Sequence, residues 1–179
     1  MFKKISTREL VFLTLAGTAW FLLDLAIGLW INAVTGIFLL GSFLGAIISG
    51  FFVALLVKIR PKFFTFTITL LIFGLLALPT SSAGPAGFWP KILIEPLVGL
   101  LGDIFLKLAK YKRWSIFAAF YILSAGLLYS LTLAMIAMGI PEASKTLALL
   151  HFVTLGFWII GTIGLLFGFY VYKKGHSKF

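Results

Sequence analysis

The chain has 179 residues, 61% of them hydrophobic and only 11% charged, with a formal net charge of +10. That composition excludes a soluble globular domain, which needs far more polar surface, and fits a protein whose outside is covered by lipid. The basic residues are scattered over four short gaps, which argues against a nucleic-acid partner, and the lack of cysteine excludes disulfides and thiolate metal sites. Six apolar spans of about 20 residues take up about 120 residues. The rest suffices for short loops and not for a soluble catalytic domain.

The first span is expected over about 10–28. It runs well past the length of a signal-peptide core, so it is read as a membrane helix despite the preceding Lys3 and Lys4. A short outer loop is expected at Trp30–Thr35, then span 2 over about 36–57, with Pro61 marking a turn. Span 3 covers about 63–78 and ends at Pro79. The uncharged, Gly- and Pro-rich stretch Thr80–Trp89 reads as an outer loop. Span 4 covers about 90–108, with Pro90 suited to a first helical turn. Span 5 covers about 114–138, ended by Gly139 and Pro141, and span 6 covers about 146–172. All six are expected to be α-helices in one all-α membrane domain over residues 1–179, because lipid offers no partner for free backbone amides.

The basic residues set the expected topology. Lys3, Lys4 and Arg8 precede span 1, Lys58, Arg60 and Lys62 follow span 2, Lys107, Lys110, Lys112 and Arg113 follow span 4, and Lys173, Lys174 and Lys178 follow span 6. These are 13 of the 15 Lys and Arg residues, and all fall on one side of a six-span chain. The positive-inside rule then predicts both termini in the cytoplasm of a prokaryotic cell, with the protein in its cytoplasmic membrane.

Small residues recur every four positions along span 2, as Gly41, Gly45 and Ser49 and as Ala46, Gly50 and Ala54, and span 6 repeats the pattern at Gly164 and Gly168. Such rows let helices approach closely, and those of spans 2 and 6 are read as internal packing. On span 1, Thr14, Ala16 and Thr18 form a candidate face for docking a membrane partner.

Ionisable groups at membrane depth are candidates for function, because lipid penalises their charge. Asp24 lies about 21 Å along span 1, in the outer half. Glu95 is placed below the outer end of span 4, with Asp103 two turns deeper on the same face and closer to the basic cluster around Lys107. Asp24, Asn32, Trp89, Glu95, Tyr129, His151 and Trp158 are predicted to line one outer-half pocket for a small cationic, aromatic ligand. The competing readings are an ion pair of Glu95 with Lys91 one turn earlier, an interhelical hydrogen bond for Asp24, packing for His151, and an interfacial aromatic belt for Trp30 and Trp89. No zinc-protease, phosphate-loop or nucleophile-elbow motif is present, so no enzymatic activity, cofactor or metal is expected.

The segments STRELVFLTLAGTAW and LLALPTSSAGPAGFWPKILIEPLVGLLGDIFLKLAKYKRW resemble parts of the substrate-binding S components of energy-coupling factor (ECF) vitamin transporters. The second is most similar to the hydroxymethylpyrimidine/thiamine type, in which a Gly-Pro-bearing outer loop leads into a helix with an acidic group and then a basic turn. The resemblance implies high-affinity capture of a vitamin-like ligand and association with a scaffold membrane protein and two ATPase subunits. It also implies docking through small residues on span 1, where this chain offers Thr14 and Thr18 in place of the usual paired alanines. The alternatives are a stand-alone carrier or channel, a lipid-modifying membrane enzyme, and a structural membrane subunit.

Overall fold

A computed structural model describes residues 5–35, 38–81 and 84–176, and the side chains at 32, 35, 38–42, 142, 146 and 176 lie outside that description. Among the described residues every apolar stretch is helical and no strand occurs. The helices are α1 (Thr7–Thr35), α2 (Phe38–Ile59), α3 (Thr65–Ala77), α4 (Pro90–Leu108), α5 (Arg113–Ala137), α6 (Pro141–Leu147) and α7 (Leu150–His176). Each of the six expected spans corresponds to one of these helices, and α6 is an addition in what was expected to be a turn.

Two expected boundaries change. The predicted outer loop Trp30–Thr35 is the last turn and a half of α1, so this helix of 29 residues is about 43 Å long, well beyond a hydrocarbon core of about 30 Å. The last span begins at Leu150 rather than Thr146 and continues to His176. Among the described residues, three helical segments are long and apolar enough to cross a membrane: Thr7–Ile31, Arg113–Ala137 and Leu150–Gly175. In α3 the apolar segment is shorter, and α4 carries four charged residues, Lys91, Glu95, Asp103 and Lys107.

Helix α3 has 13 residues, about 20 Å, and cannot fill the depth of a bilayer alone. The α3–α4 connection completes it. The Gly87 amide donates to the Leu78 carbonyl at 2.8 Å, the Phe88 amide donates to the Pro85 carbonyl at 3.1 Å, and Phe88 is buried. Non-helical backbone is tolerated at such depth when it folds against protein in this way.

The small-residue rows of α2 divide between two neighbours. Gly50 lies against the Gly161 carbonyl of α7, and Gly164 of α7 lies against the Ile47 carbonyl of α2 so closely that a Cβ at either position would collide with backbone. The other row faces α1: Trp20 Nε1 donates to Ser49 Oγ at 3.2 Å, and Gly45 lies under the Asp24 carboxylate. The core runs through the basic half of the bundle, with Leu13, Leu56, Phe66, Leu106, Ile116 and Leu165 buried together. Outside it, Leu15, Leu97, Leu101, Ile159 and Ile163 are exposed. Each would forfeit about 1.5–3 kcal/mol of burial in water, so lipid is the solvent this surface suits.

The basic segments converge on one end of the bundle. Glu9 of α1 meets Arg60 and Lys62, Lys107 stands over the Phe63 ring at 5.0 Å, and Lys58 and Arg113 both approach the ring of Phe169, four residues before Lys173. Buried Arg60 also donates from Nη1 to Thr65 Oγ1 at 2.7 Å, tying the end of α2 to the start of α3. Asp103 completes this plug. It does not turn to the basic cluster around Lys107. Oδ1 accepts the Phe66 amide at 3.1 Å, and Oδ2 accepts the Thr67 amide at 2.9 Å and the Thr67 hydroxyl at 2.8 Å. The preceding Phe64, at φ 66°, supplies no side-chain cap to α3, so a carboxylate from α4 takes that role.

Candidate binding cavity

At the end of the bundle away from the basic segments, α1, α2, α3, α5, α7 and the α3–α4 connection surround a cavity of about 620 Å³. The volume suits a small organic molecule. Leu70, Leu123, Leu127, Leu131, Phe120 and Phe157 make most of the wall apolar. Its ionisable side chains are Asp24 from α1 and Glu95, the single contribution of α4; no lysine, arginine or histidine is among the lining residues.

The sequence places these groups through helix periodicity. Trp20, Asp24 and Gly28 follow one another at four-residue spacing on α1, and Ser124, Leu128, Leu131 and Met135 follow the same face of α5. The Trp20 ring stacks on Phe52 at 5.7 Å, which fixes the helix face that carries Asp24. Below the Asp24 carboxylate, Gly45 leaves the space a side chain would occupy. Ser124 Oγ is occupied, donating to the Phe120 carbonyl at 2.7 Å.

Glu95 is 1% exposed, and neither carboxylate oxygen has a hydrogen-bond partner among the described residues. The partner offered by the competing reading, Lys91, is engaged elsewhere. Lys91 is fully buried, and its Nζ donates to the carbonyls of Ala77 at 3.1 Å, Thr80 at 2.9 Å and Gly84 at 3.1 Å. An ammonium has three donors, so all are spent on the end of α3 and the loop that follows. The Lys91–Glu95 ion pair is thereby replaced by a clamp on the α3–α4 connection, and Ser81, Gly84 and Pro85 of that connection roof the cavity.

Of the predicted pocket residues, Asp24 and Glu95 share this cavity, and four others lie outside it. Trp89 is 56% exposed and borders an outward groove with Leu93 and Met138. The Tyr129 hydroxyl lies 3.5 Å from His151 Nδ1, and this pair stands exposed on the outside of α5 and α7. Trp158 Nε1 donates to the Phe117 carbonyl at 3.2 Å, and its ring meets Tyr121 edge-on. The reason is angular: Tyr129, His151 and Trp158 each follow a lining residue (Leu128, Leu150 and Phe157) by one position, which is about 100° around a helix. The side chain of Asn32 lies outside the described residues, as do Ser82 and Ala83 of the predicted outer loop Thr80–Trp89. The other predicted outer loop, Trp30–Thr35, is helical.

Trp20, Phe43, Phe73, Phe120 and Phe157 supply the aromatic lining instead. Four-residue spacing from Asp24 was a signal for Trp20; nothing comparable marks the phenylalanines. Thr14, Ala16 and Thr18 are each half-buried, and Gly17 between them packs on the Thr69 carbonyl of α3. The outward row of α1 is Val11, Leu15, Ala19 and Leu22, which Thr14 and Thr18 only border. No three His, Asp or Glu side chains come together among the described residues in a way that would hold a metal.

No curated protein and no solved structure matches the chain. Residues 7–143 match the family model described as a hypothetical bacterial integral membrane protein, Trep_Strep, a stretch that contains both Asp24 and Glu95 and stops short of α7. The chain is a bacterial integral membrane protein and belongs to the Trep_Strep family.

Proposed function

We propose that this protein is the substrate-capture subunit of an ATP-driven, ECF-type importer of a small cationic micronutrient, a vitamin or vitamin precursor of thiamine-like character. In this reading it crosses the cytoplasmic membrane six times with both termini inside, binds its ligand from outside and does no chemistry. A scaffold membrane protein, docked along α1 on the side bordered by Thr14, Ala16 and Thr18, and two ATPase subunits power release. The observation that carries the reading is the cavity of about 620 Å³ holding Asp24 and Glu95 at the end opposite the basic segments. That end faces outward if the positive-inside rule holds.

A plugged inner end favours capture over a stand-alone channel. Asp103 is committed to the start of α3, Arg60 to Thr65 and Glu9, and the space between is filled by Leu13, Phe66 and Leu106. A solute would have no polar route through this half without rearrangement. The test is reconstitution into liposomes. The protein alone should bind its co-purified ligand, identified by mass spectrometry, without accumulating it. Adding scaffold and ATPases should give ATP-dependent uptake. Equal uptake without ATP would replace this reading with the carrier or channel.

A further inference from the structure

Resting on the capture reading, we propose that Glu95 receives a forked, two-donor cation: an amidinium, a guanidinium or a protonated amino-substituted nitrogen heterocycle. The ligand is distinguished from quaternary and tertiary ammonium compounds of the same charge. Both Glu95 oxygens are buried and unpartnered among the described residues, and the side chain lines the cavity. A buried carboxylate left in that state is costly, and its two oxygens accept two parallel N–H bonds from a planar fork.

Among the described residues the surrounding wall does not supply those donors. Lys91 has spent its three on Ala77, Thr80 and Gly84. Trp20 gives its indole proton to Ser49, and Ser124 gives its own to Phe120. A quaternary ammonium brings charge and no donor, so it would leave both Glu95 oxygens without a hydrogen bond. Asp24 on α1 adds a second carboxyl group, and no lysine, arginine or histidine among the lining residues would receive a phosphate or carboxylate on the ligand. Beyond the acidic end, the leucine and phenylalanine wall suits a flat apolar body.

The experiment compares benzamidine with benzyltrimethylammonium, which share an aromatic ring and one positive charge and differ in their donors. Each is titrated calorimetrically into the intact detergent-solubilised protein, with benzylammonium as a non-planar donor control. Benzamidine should bind at least about tenfold more tightly than benzyltrimethylammonium, the difference expected for hydrogen bonds to a charged acceptor. In Glu95→Gln that ratio should fall toward one. A ratio near one in the unaltered protein overturns the proposal, as does a ratio that survives E95Q or a failure of both cations to bind. The wild-type comparison stands even if the variant does not fold. ATP-driven uptake of a co-purified ligand without a fork preference would refute this inference alone, whereas a fork preference with ATP-independent uptake would refute the importer reading alone.

Discussion

Helix α4 carries two buried carboxylates eight residues apart on one face, and they live in opposite states. Asp103 accepts three hydrogen bonds from the start of α3, while Glu95 accepts none from the described residues. Both are 1% exposed, so burial does not separate them. The difference lies in what faces each group. Asp103 meets the unpaired amides of a helix start, which need an acceptor whether or not a ligand is present. Glu95 meets a cavity, with its nearest helical cation turned upward to hold a loop. One carboxylate is therefore part of the scaffold, and the other is kept available by it.

Substituting the two groups isosterically should break the comparison most clearly. Asp103→Asn would turn an amide NH₂ toward the N–H groups of Phe66 or Thr67 and should cost about 3 kcal/mol of stability, read by denaturant or thermal unfolding in detergent. Glu95→Gln should stay within about 1 kcal/mol of the parent, because it removes no hydrogen bond to the described residues and keeps the shape of the side chain. If E95Q proved as destabilising as D103N, Glu95 would belong to the scaffold as well.

Lys91 tests why Glu95 has no hydrogen-bond partner among the described residues. Lys91→Met keeps an unbranched side chain one atom shorter and removes its three donors, leaving the carbonyls of Ala77, Thr80 and Gly84 short of partners. About 2 kcal/mol should be lost, and the α3–α4 connection should exchange its amide hydrogens faster in mass-spectrometric labelling. The smallest effects are expected outside the cavity. Tyr129→Phe and His151→Ala should each change stability by no more than about 0.5 kcal/mol and leave ligand affinity unaltered in the same titrations. A clear loss of affinity in either would mean that the exposed side of α5 and α7 contributes to binding after all.

How much of this could be read from residues alone varies with the helix. The small-residue rows of α2 announced close packing, and the two rows meet α1 and α7 respectively. Asp24 and Glu95 were visible as ionisable groups at membrane depth, and they share the cavity. Tyr129, His151 and Trp158 each lie one residue beyond a lining position and outside the cavity. In α5 and α7 the lipid face and the core face are both apolar, so no polarity asymmetry tells them apart in the sequence.

The sequence by itself determined that this chain lies in lipid, that its long apolar stretches are helical, how basic residues divide between the gaps, and which acidic groups fall within those stretches. These follow from local composition, because lipid forces the backbone to satisfy its own hydrogen bonds. Only the tertiary structure decided the helix rotations, the commitment of Lys91 to three loop carbonyls, the use of Asp103 as the cap of α3, and the bare state of Glu95. Each depends on which donor or acceptor another helix brings within reach, and spacing along one chain segment does not encode that.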